Sequence, residues 1–579
     1  MSYATDSARV KAPENGFAGL KHWQYDLRSG LMVAMISLPF SMGIAITSGA
    51  PPICGIVSAI IAGFVLPFLG GSYVTISGPA AGLAPAIYGG IAALGASYLG
   101  AGASFDEIMA AGYPLVLVAI FFAGVLQVVL AKLKIARLSA IFPAAAIEGM
   151  LAAIGLLIIV KQLPLFLGQK FEAHEFWEML GEVPHKLNGL DSETFQVLGL
   201  GVGCLALLFL MASIPARLLK IMPPPVWVFV IGTVISSQFL HLDKRFLIDV
   251  PDPLEHGIVL PQFGELFGNS QLWGHAAYLV FLLLLVDGTE SLATIMAVDK
   301  LDPYRRRSSP DRTLLSMGVS NVASSVLGGL TIIPGIVKST ANIMGGGRTQ
   351  WANFYNACFL LTFLLLARGL INMVPYVVLA SILTFVGFKL CRPKVWAHVA
   401  HIGTEQFVIF AFTVLVTVTT DLLIGIGAGI ALKLALNLWY LGLAYRLGGN
   451  GRPTPGRLTQ IASLFRNPVD DREFSEGVYE LYLTRPLVCF NLFHVLRELQ
   501  QIPAEAKAVK LHFTKLVPLV DHTTAELLFH YVEDYNSRQL PMELVNWEQL
   551  KPLSSHPSAI QLGLSAELIE SVPPSVEAA

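Results

Sequence analysis

Charge is what this chain has least of. Only 13% of its 579 residues are Asp, Glu, Lys or Arg, against roughly a quarter in soluble globular proteins. With 54% apolar residues and a mean hydropathy of +0.63, a polytopic membrane protein is the expectation. Cysteine is also scarce. Cys54, Cys204, Cys358, Cys391 and Cys489 are scattered without CxxC spacing, which argues against a disulfide framework or a zinc site. No basic stretch interleaved with aromatics suggests nucleic acid. No nucleophile–base pair or metal cluster stands out, so no enzyme activity and no cofactor are expected. Gly345-Gly-Gly-Arg-Thr lacks the Gly-x-x-x-x-Gly-Lys spacing of a phosphate loop, which argues against an ATP-driven pump.

What is present is apolar length. A run of about 18 apolar residues can span a bilayer. Fourteen such runs fall between residues 30 and 445, and the third (75–95) and tenth (336–346) are short or broken. The first is too long for a signal peptide and has no convincing cleavage site. With a cytoplasmic N-terminus, the basic loops all fall on one side. They hold Lys132/Lys134/Arg137, Arg217/Lys220, Lys300/Arg305/Arg306/Arg307/Arg312, Lys389/Arg392/Lys394 and Arg446/Arg452/Arg457. The opposite loops are acidic or mixed, with Asp106/Glu107, Glu172/Glu175/Glu178/Glu182 and Asp243/Asp249/Asp252/Glu255. This is the positive-inside pattern, and it puts both termini in the cytoplasm. Seven spans followed by seven give the halves opposite orientations, an inverted repeat.

The two breaks correspond. Ser72-Tyr-Val-Thr-Ile-Ser-Gly-Pro-Ala-Ala-Gly82 and Gly329-Leu-Thr-Ile-Ile-Pro-Gly-Ile-Val-Lys-Ser-Thr-Ala-Asn342 each join a short β-prone piece to a helix restart. Irregular backbone at membrane depth survives only inside protein or beside a polar cavity, so paired breaks point to a transporter's binding site. Helix starts are expected at Pro79 and Lys338. Their free N–H groups and dipoles would favour an anion. Lys338 adds a full charge, with snorkelling to an interface as its alternative.

Glu290 is the acidic residue that stands out. Asp287 lies one turn before it and Thr294 one turn after, so the three share a helix face. A carboxylate inside a span costs about 2.5–3.5 kcal/mol and is a functional candidate. Glu290 could bind a cation or carry a proton, or pair internally with Lys338. Glu148 and Lys161 read as structural or interfacial, and Asp421 as a helix cap.

Beyond about Pro453 the composition changes. Residues 478–556 read as a small soluble α/β domain, with strands at 478–483, 508–513 and 542–546 and helices at 490–501 and 523–538. The division expected is a cytoplasmic segment (1–29), a transmembrane domain (30–447), a linker (448–477), the α/β domain (478–556) and a disordered tail (557–579).

Several motifs occur in an order that resembles the SulP-type anion permeases, bacterial relatives of the solute-carrier sulfate/chloride/bicarbonate exchangers. They are Leu38-Pro39, Gly70-Gly-Ser-Tyr-Val-Thr-Ile-Ser-Gly-Pro79, Glu290-Ser-Leu-Ala-Thr294, Gly318-Val-Ser-Asn321 with Gly328-Gly329, and Thr420-Asp-Leu-Leu-Ile-Gly425. The resemblance implies a polytopic α-helical fold of fourteen spans as a 7+7 inverted repeat. A core domain carrying the two broken helices would move against a gate domain, commonly in a homodimer. Residues 478–556 would be a cytoplasmic STAS domain. The positions matching Ser77, Gly78, Ala80, Ala81, Lys338, Ser339 and Thr340 would face the anion. Glu290, with Thr294 and Asp287, would couple a cation, Na+ at Glu290 and Thr294 or H+.

Three departures stand out. Lys338 replaces a frequent Arg and loses its bidentate fork. Phe40 replaces a frequent Gln. His522 occupies the loop whose serine is phosphorylated in anti-sigma-antagonist relatives, which speaks against a serine switch there. Asp287-Gly-Thr, Lys300-Leu-Asp-Pro-Tyr-Arg-Arg and His401-Ile-Gly-Thr-Glu-Gln resemble a bacterial subgroup associated with carbonic anhydrase, a nudge toward bicarbonate and a candidate STAS partner. The expectation is a cation-coupled bicarbonate or sulfate transporter of the bacterial inner membrane. The alternatives are an uncoupled channel or exchanger, a nucleobase symporter on the same fold, and a membrane anchor for the C-terminal domain.

Overall fold

The structure is a computed structural model. It describes residues 12–563 except 101, 135–142, 174, 214–223, 250–257, 448–455, 500, 504 and 538–539. Residues 1–11, Arg137, Arg217, Lys220, Asp252, Glu255, Arg452 and the tail beyond 563 lie outside the described residues. The chain forms two compact units, residues 1–136 with 154–390, and residues 137–153 with 391–579.

The first unit opens with α1 (Trp23–Thr47) and α2 (Pro52–Leu69), which starts on a proline whose missing N–H is not needed there. The third apolar run breaks into β1 (Ile76–Pro79) and α3 (Ala84–Leu99). A capping box starts α4 (Phe105–Lys132). Ser104 Oγ accepts from the Glu107 N–H, and Glu107 Oε2 accepts from the Ser104 N–H at 2.8 Å. Next come α5 (Ala144–Leu167), whose residues up to 153 belong to the second unit, the amphipathic α6 (Phe176–Asn188) inside the acidic loop, α7 (Ser192–Ser213) and α8 (Pro224–Ile235). The short α9 (Phe263–Gly268) precedes α10 (Gln271–Leu301) and α11 (Pro310–Val326). The break before the tenth run forms β2 (Ile332–Gly335), and the run itself restarts as α12 (Ile336–Met344). The unit closes with α13 (Trp351–Leu366), α14 (Arg368–Ile371) and α15 (Tyr376–Cys391).

Among the described residues, eight helices are long and apolar enough to cross a membrane, and four shorter apolar helices accompany them. Small residues let helices touch through their backbones. Between α4 and α11 this contact is reciprocal. A Cβ on Gly124 would sit 2.8 Å from the Gly318 carbonyl oxygen, and one on Gly318 would sit 2.8 Å from that of Gly124.

In the second unit, α16 (Pro393–Ile402), α17 (Thr404–Thr419) and α18 (Leu422–Leu447) lead to the small domain. Asp421 caps α18, accepting the Ile424 N–H at 2.9 Å. The domain runs α19 (Arg457–Ser463), β3 (Val469–Ser475), β4 (Val478–Leu483), α20 (Leu492–Leu499), β5 (Ala508–Phe513), β6 (Leu519–Val520), α21 (His522–Ser537), β7 (Met542–Val545), β8 (Leu550–Pro552) and β9 (Gln561–Gly563). One sheet has the order β3-β4-β5-β7, antiparallel at β3–β4 and parallel beyond; the other has the order β6-β9-β8. Alternate residues of β4 and β5 point into a core with Val495, Leu496 and Leu528.

Two expected boundaries move. Residues 457–463 and 469–475 lie in the stretch taken as linker, yet they form α19 and β3. The strand Val-Asp-Asp-Arg-Glu-Phe-Ser is a mostly exposed edge, so it lacks the alternation that reveals β4; the ladder to β4 holds it. Likewise β9 falls inside the expected tail, held between β6 and β8.

Candidate functional site

The two breaks meet. Strands β1 and β2 pair antiparallel, with Ile76 opposite Gly335 and Pro79 opposite Ile332. Each break thereby satisfies backbone groups of the other, the requirement for irregular chain at membrane depth. Side chains from spans distant in sequence take up the remaining groups. Ser339 Oγ accepts the Ile76 N–H at 2.9 Å and donates to the Gly335 carbonyl at 2.7 Å. Asn353 accepts the Ser77 N–H at 3.1 Å and donates to the Thr75 carbonyl at 2.7 Å. Asn342 donates to the Val74 carbonyl at 2.8 Å and accepts from Ser29 of α1 at 2.6 Å.

Helix starts differ from those expected. The Ala80 N–H still bonds the Thr331 carbonyl at 3.0 Å, so strand pairing delays α3 to Ala84, five residues after Pro79. Between them, the N–H groups of Ala81, Gly82 and Leu83 have no hydrogen-bond partner among the described residues. The second helix starts two residues before Lys338, with extended Gly335 at its N-cap. Lys338 therefore lies in the first turn of α12, where N–H groups lack intrahelical acceptors.

The structure brings Lys338, Gly78 and Ser41 together. Lys338 is 4% exposed, and it forms no ion pair with a described carboxylate. Its Nζ reaches Ser41 Oγ of α1 at 3.4 Å and lies against Gly78, where an added Cβ would be only 2.5 Å away. Ser77 Oγ is buried and without a partner. Snorkelling does not describe Lys338, since its head lies inside the protein.

The other expected anion-facing groups are placed differently. The Ala80 N–H and the Ser339 hydroxyl are spent on the strand pair, and the Thr340 hydroxyl bonds back to the Ile336 carbonyl at 2.9 Å. Ala81 contributes a free N–H.

On α10, Asp287 and Glu290 part company despite sharing a face. Asp287 is fully engaged. It accepts from Ser291 at 3.0 Å and from Asn321 of α11 at 2.8 Å. Asn321 also donates to Gln127 of α4 at 2.8 Å and accepts the Ile332 N–H at 2.6 Å, which fixes β2 to α10. Glu290 Oε2 is buried with no hydrogen-bond partner, and a Cβ on Gly82 would overlap its carboxylate. Glu290 thus abuts the turn with the free N–H groups, and Thr294 lies buried one turn on.

Phe40 joins the apolar cluster of Ile36, Phe166, Val378 and Ala341, while its neighbour Ser41 supplies the polar contact. Lys161 stacks over the Tyr88 ring at 3.9 Å. Sequence reasoning missed Ser41, Gln127, Asn321, Asn342 and Asn353. Their signal was available, since Asn and Gln inside an apolar span must find partners.

Residues 23–413 match the sequence model of the sulfate permease family. The putative sulfate transporter YvdB of Bacillus subtilis is 27% identical over 415 residues, covering 71% of this chain and 73% of its own. The bicarbonate transporter BicA of Picosynechococcus sp. is 27% identical over 414 residues, covering 70% of this chain and 68% of its own. The solved transmembrane domain of a cyanobacterial BicA overlays on 70% of this chain and 97% of its own, with a TM-score of 0.59 and 26% identity. SLC26A9 overlays on 90% of this chain and 84% of its own, with a TM-score of 0.62 and 16% identity, a likeness of fold alone. With the family's sequence model spanning most of its length, this chain belongs to the sulfate permease family.

Proposed function

We propose that this protein is a secondary active transporter of a small inorganic oxyanion, bicarbonate or sulfate, coupled to Na+ or H+. The observation that carries the reading is Lys338, a buried ammonium without a described carboxylate partner. Burying a charge is costly unless it is paired. An oxyanion supplies the opposite charge. The N–H groups of Ala81–Leu83, the first turn of α12 and the free Ser77 hydroxyl supply donors. The names of YvdB and BicA support this substrate class.

Glu290 is the coupling residue in this reading. A bare carboxylate beside the turn at Gly82 would repel an arriving anion. A Na+ shared with Thr294, or a proton on Glu290, removes that repulsion, so the anion-loaded site is stabilised together with its cation. Asp287 positions α10 against β2 through Asn321.

The antiparallel crossing of β1, in the third run, and β2, directly before the tenth, supports a 7+7 inverted repeat of fourteen spans. Spans 1–4 and 8–11 would form the core that carries the site. Spans 5–7 and 12–14 would form the gate against which it moves, as in an elevator. The positive-inside pattern supports a bacterial plasma membrane with both termini cytoplasmic. The mixed sheet of β3-β4-β5-β7 with α20 and α21 supports a STAS domain. A homodimer belongs to the same proposal, as does a cytoplasmic partner for that domain.

The test is uptake of labelled bicarbonate and labelled sulfate into proteoliposomes, with and without an inward Na+ gradient and at two external pH values. Concentrative uptake of either anion under one cation gradient is the expected result. Uptake of neither, or flux indifferent to both gradients, would overturn the coupled-transport reading.

A further inference from the structure

The turn Asp521-His522-Thr523-Thr524, at the start of α21, has no part in the transport site. The side chains of Asp521 and Thr523 are nevertheless committed, to the backbone at Cys489, to α18 and to the start of α5, all within the second unit. Asp521 is fully buried. Its Oδ1 accepts the Thr524 N–H at 3.0 Å and caps α21, and its Oδ2 accepts the Cys489 N–H at 3.1 Å. Oδ2 also lies 3.7 Å from Lys433 Nζ and accepts from Asn437 at 3.4 Å. Lys433 and Asn437 are one turn apart on α18, and both are fully buried. Lys433 is held from the other side by Glu405 of α17 at 2.7 Å. Thr523 Oγ1 accepts the Ala144 N–H at 3.1 Å, capping the first turn of α5.

Two further contacts run alongside. Ser554 donates to the Ile402 carbonyl, at the end of α16, at 2.7 Å. Leu441 and Ala444 of α18 pack into a cluster with Leu464, Val488, Phe490, Leu519 and Leu562 of the small domain. A lysine buried between two carboxylates is expensive to assemble and more expensive to break. Such a triad specifies one arrangement rather than a sliding contact.

The geometry points to an intrachain latch: the Asp521–Thr524 turn fastens the small domain to α5 and α18, and Asp521 positions α18 through Lys433. In the proposed transport cycle both helices belong to the gate. The latch would keep the gate and the small domain together as one frame, leaving the core as the moving part. A further consequence is that Thr523 cannot be modified without uncapping α5.

The experiment uses the full-length protein in detergent and in proteoliposomes. In a background lacking the native cysteines, Ala144→Cys with Thr523→Cys, whose parent residues are in direct contact, should cross-link within one chain and migrate as a monomer. A cross-linked dimer, or no cross-link, would overturn the intrachain latch. In Asp521→Asn, hydrogen exchange at the amides of Cys489 and Thr524 and in the first turn of α5 should speed at least tenfold, with α4 unchanged. Maximal uptake should fall severalfold at unchanged KM, and Asp521→Glu should recover most of it. Unchanged exchange and unchanged uptake in Asp521→Asn would refute the latch. The exchange readout does not depend on which anion is carried, so the latch and the transport proposal fail separately.

Discussion

Gly78→Ala is the smallest perturbation that reaches the proposed anion site. The added methyl would sit 2.5 Å from Lys338 Nζ, so the ammonium must retreat by about 1 Å to regain van der Waals distance. Strand β1 should persist, because the backbone of Gly78 is extended and paired with Ile333. Two unit charges about 4 Å apart attract by about 4 kcal/mol at an effective dielectric of 20, and by about 3.3 kcal/mol at about 5 Å. The difference, about 0.8 kcal/mol, corresponds to a roughly fourfold weaker anion affinity. Lys338→Met removes the whole attraction and should cost on the order of 10²–10³-fold. The assay is anion uptake into proteoliposomes across a concentration series, with the amount of folded protein matched by gel filtration. Gly78→Ala should raise KM about fourfold with a modest change in maximal rate. An unchanged KM for Gly78→Ala, together with a near-normal KM for Lys338→Met, would refute Lys338 as the anion's counter-charge.

Glu290→Gln should abolish cation-driven accumulation while leaving the melting temperature near that of the parent; full cation-driven uptake would remove Glu290 from the coupling role. Asn321→Ala strips partners from Gln127, Asp287 and the Ile332 N–H, and should cost about 3 kcal/mol or more of stability, read as a lower melting temperature in detergent. Burial opposes the Asp521 charge, yet Lys433 and the N–H groups of Thr524 and Cys489 hold its pKa below the ordinary carboxylate value. Its contribution is therefore complete above that ordinary value and is lost as the pH falls through the lowered one. Amide exchange at Cys489 and Thr524, corrected for intrinsic rate, should stay slow from neutrality down to about pH 4 and accelerate below it.

Local patterns were the legible part of this fold. The strands β4, β5 and β7 match the expected stretches almost residue for residue, because their apolar residues alternate or run together beside turn residues. The two broken runs were legible because Gly, Pro and Ser interrupt otherwise apolar sequence. The edge strand β3 was not, since a solvated strand carries no burial pattern. Within the candidate site, Lys338 and Glu290 were legible because charge in a span is rare. Their separation was not: Asp287 and Glu290 share a helix face, and only the position of Asn321, 34 residues away, decides which carboxylate is spent. The roles of Ser339 and Ala80 depend on strand pairing between distant segments, which no local pattern reports.

The pairing of β1 with β2 also bears on how the protein is made. Register sets Ile76 against Gly335, so the first strand leaves the ribosome roughly 260 residues before its partner. At about 5–20 residues per second, that interval lasts on the order of 13–50 s. Throughout it, the backbone of Ile76–Pro79 must be kept from lipid by something other than β2. The N-terminal half is therefore an incomplete object while it is being inserted, and its irregular stretch depends on shelter until the chain is more than half synthesised.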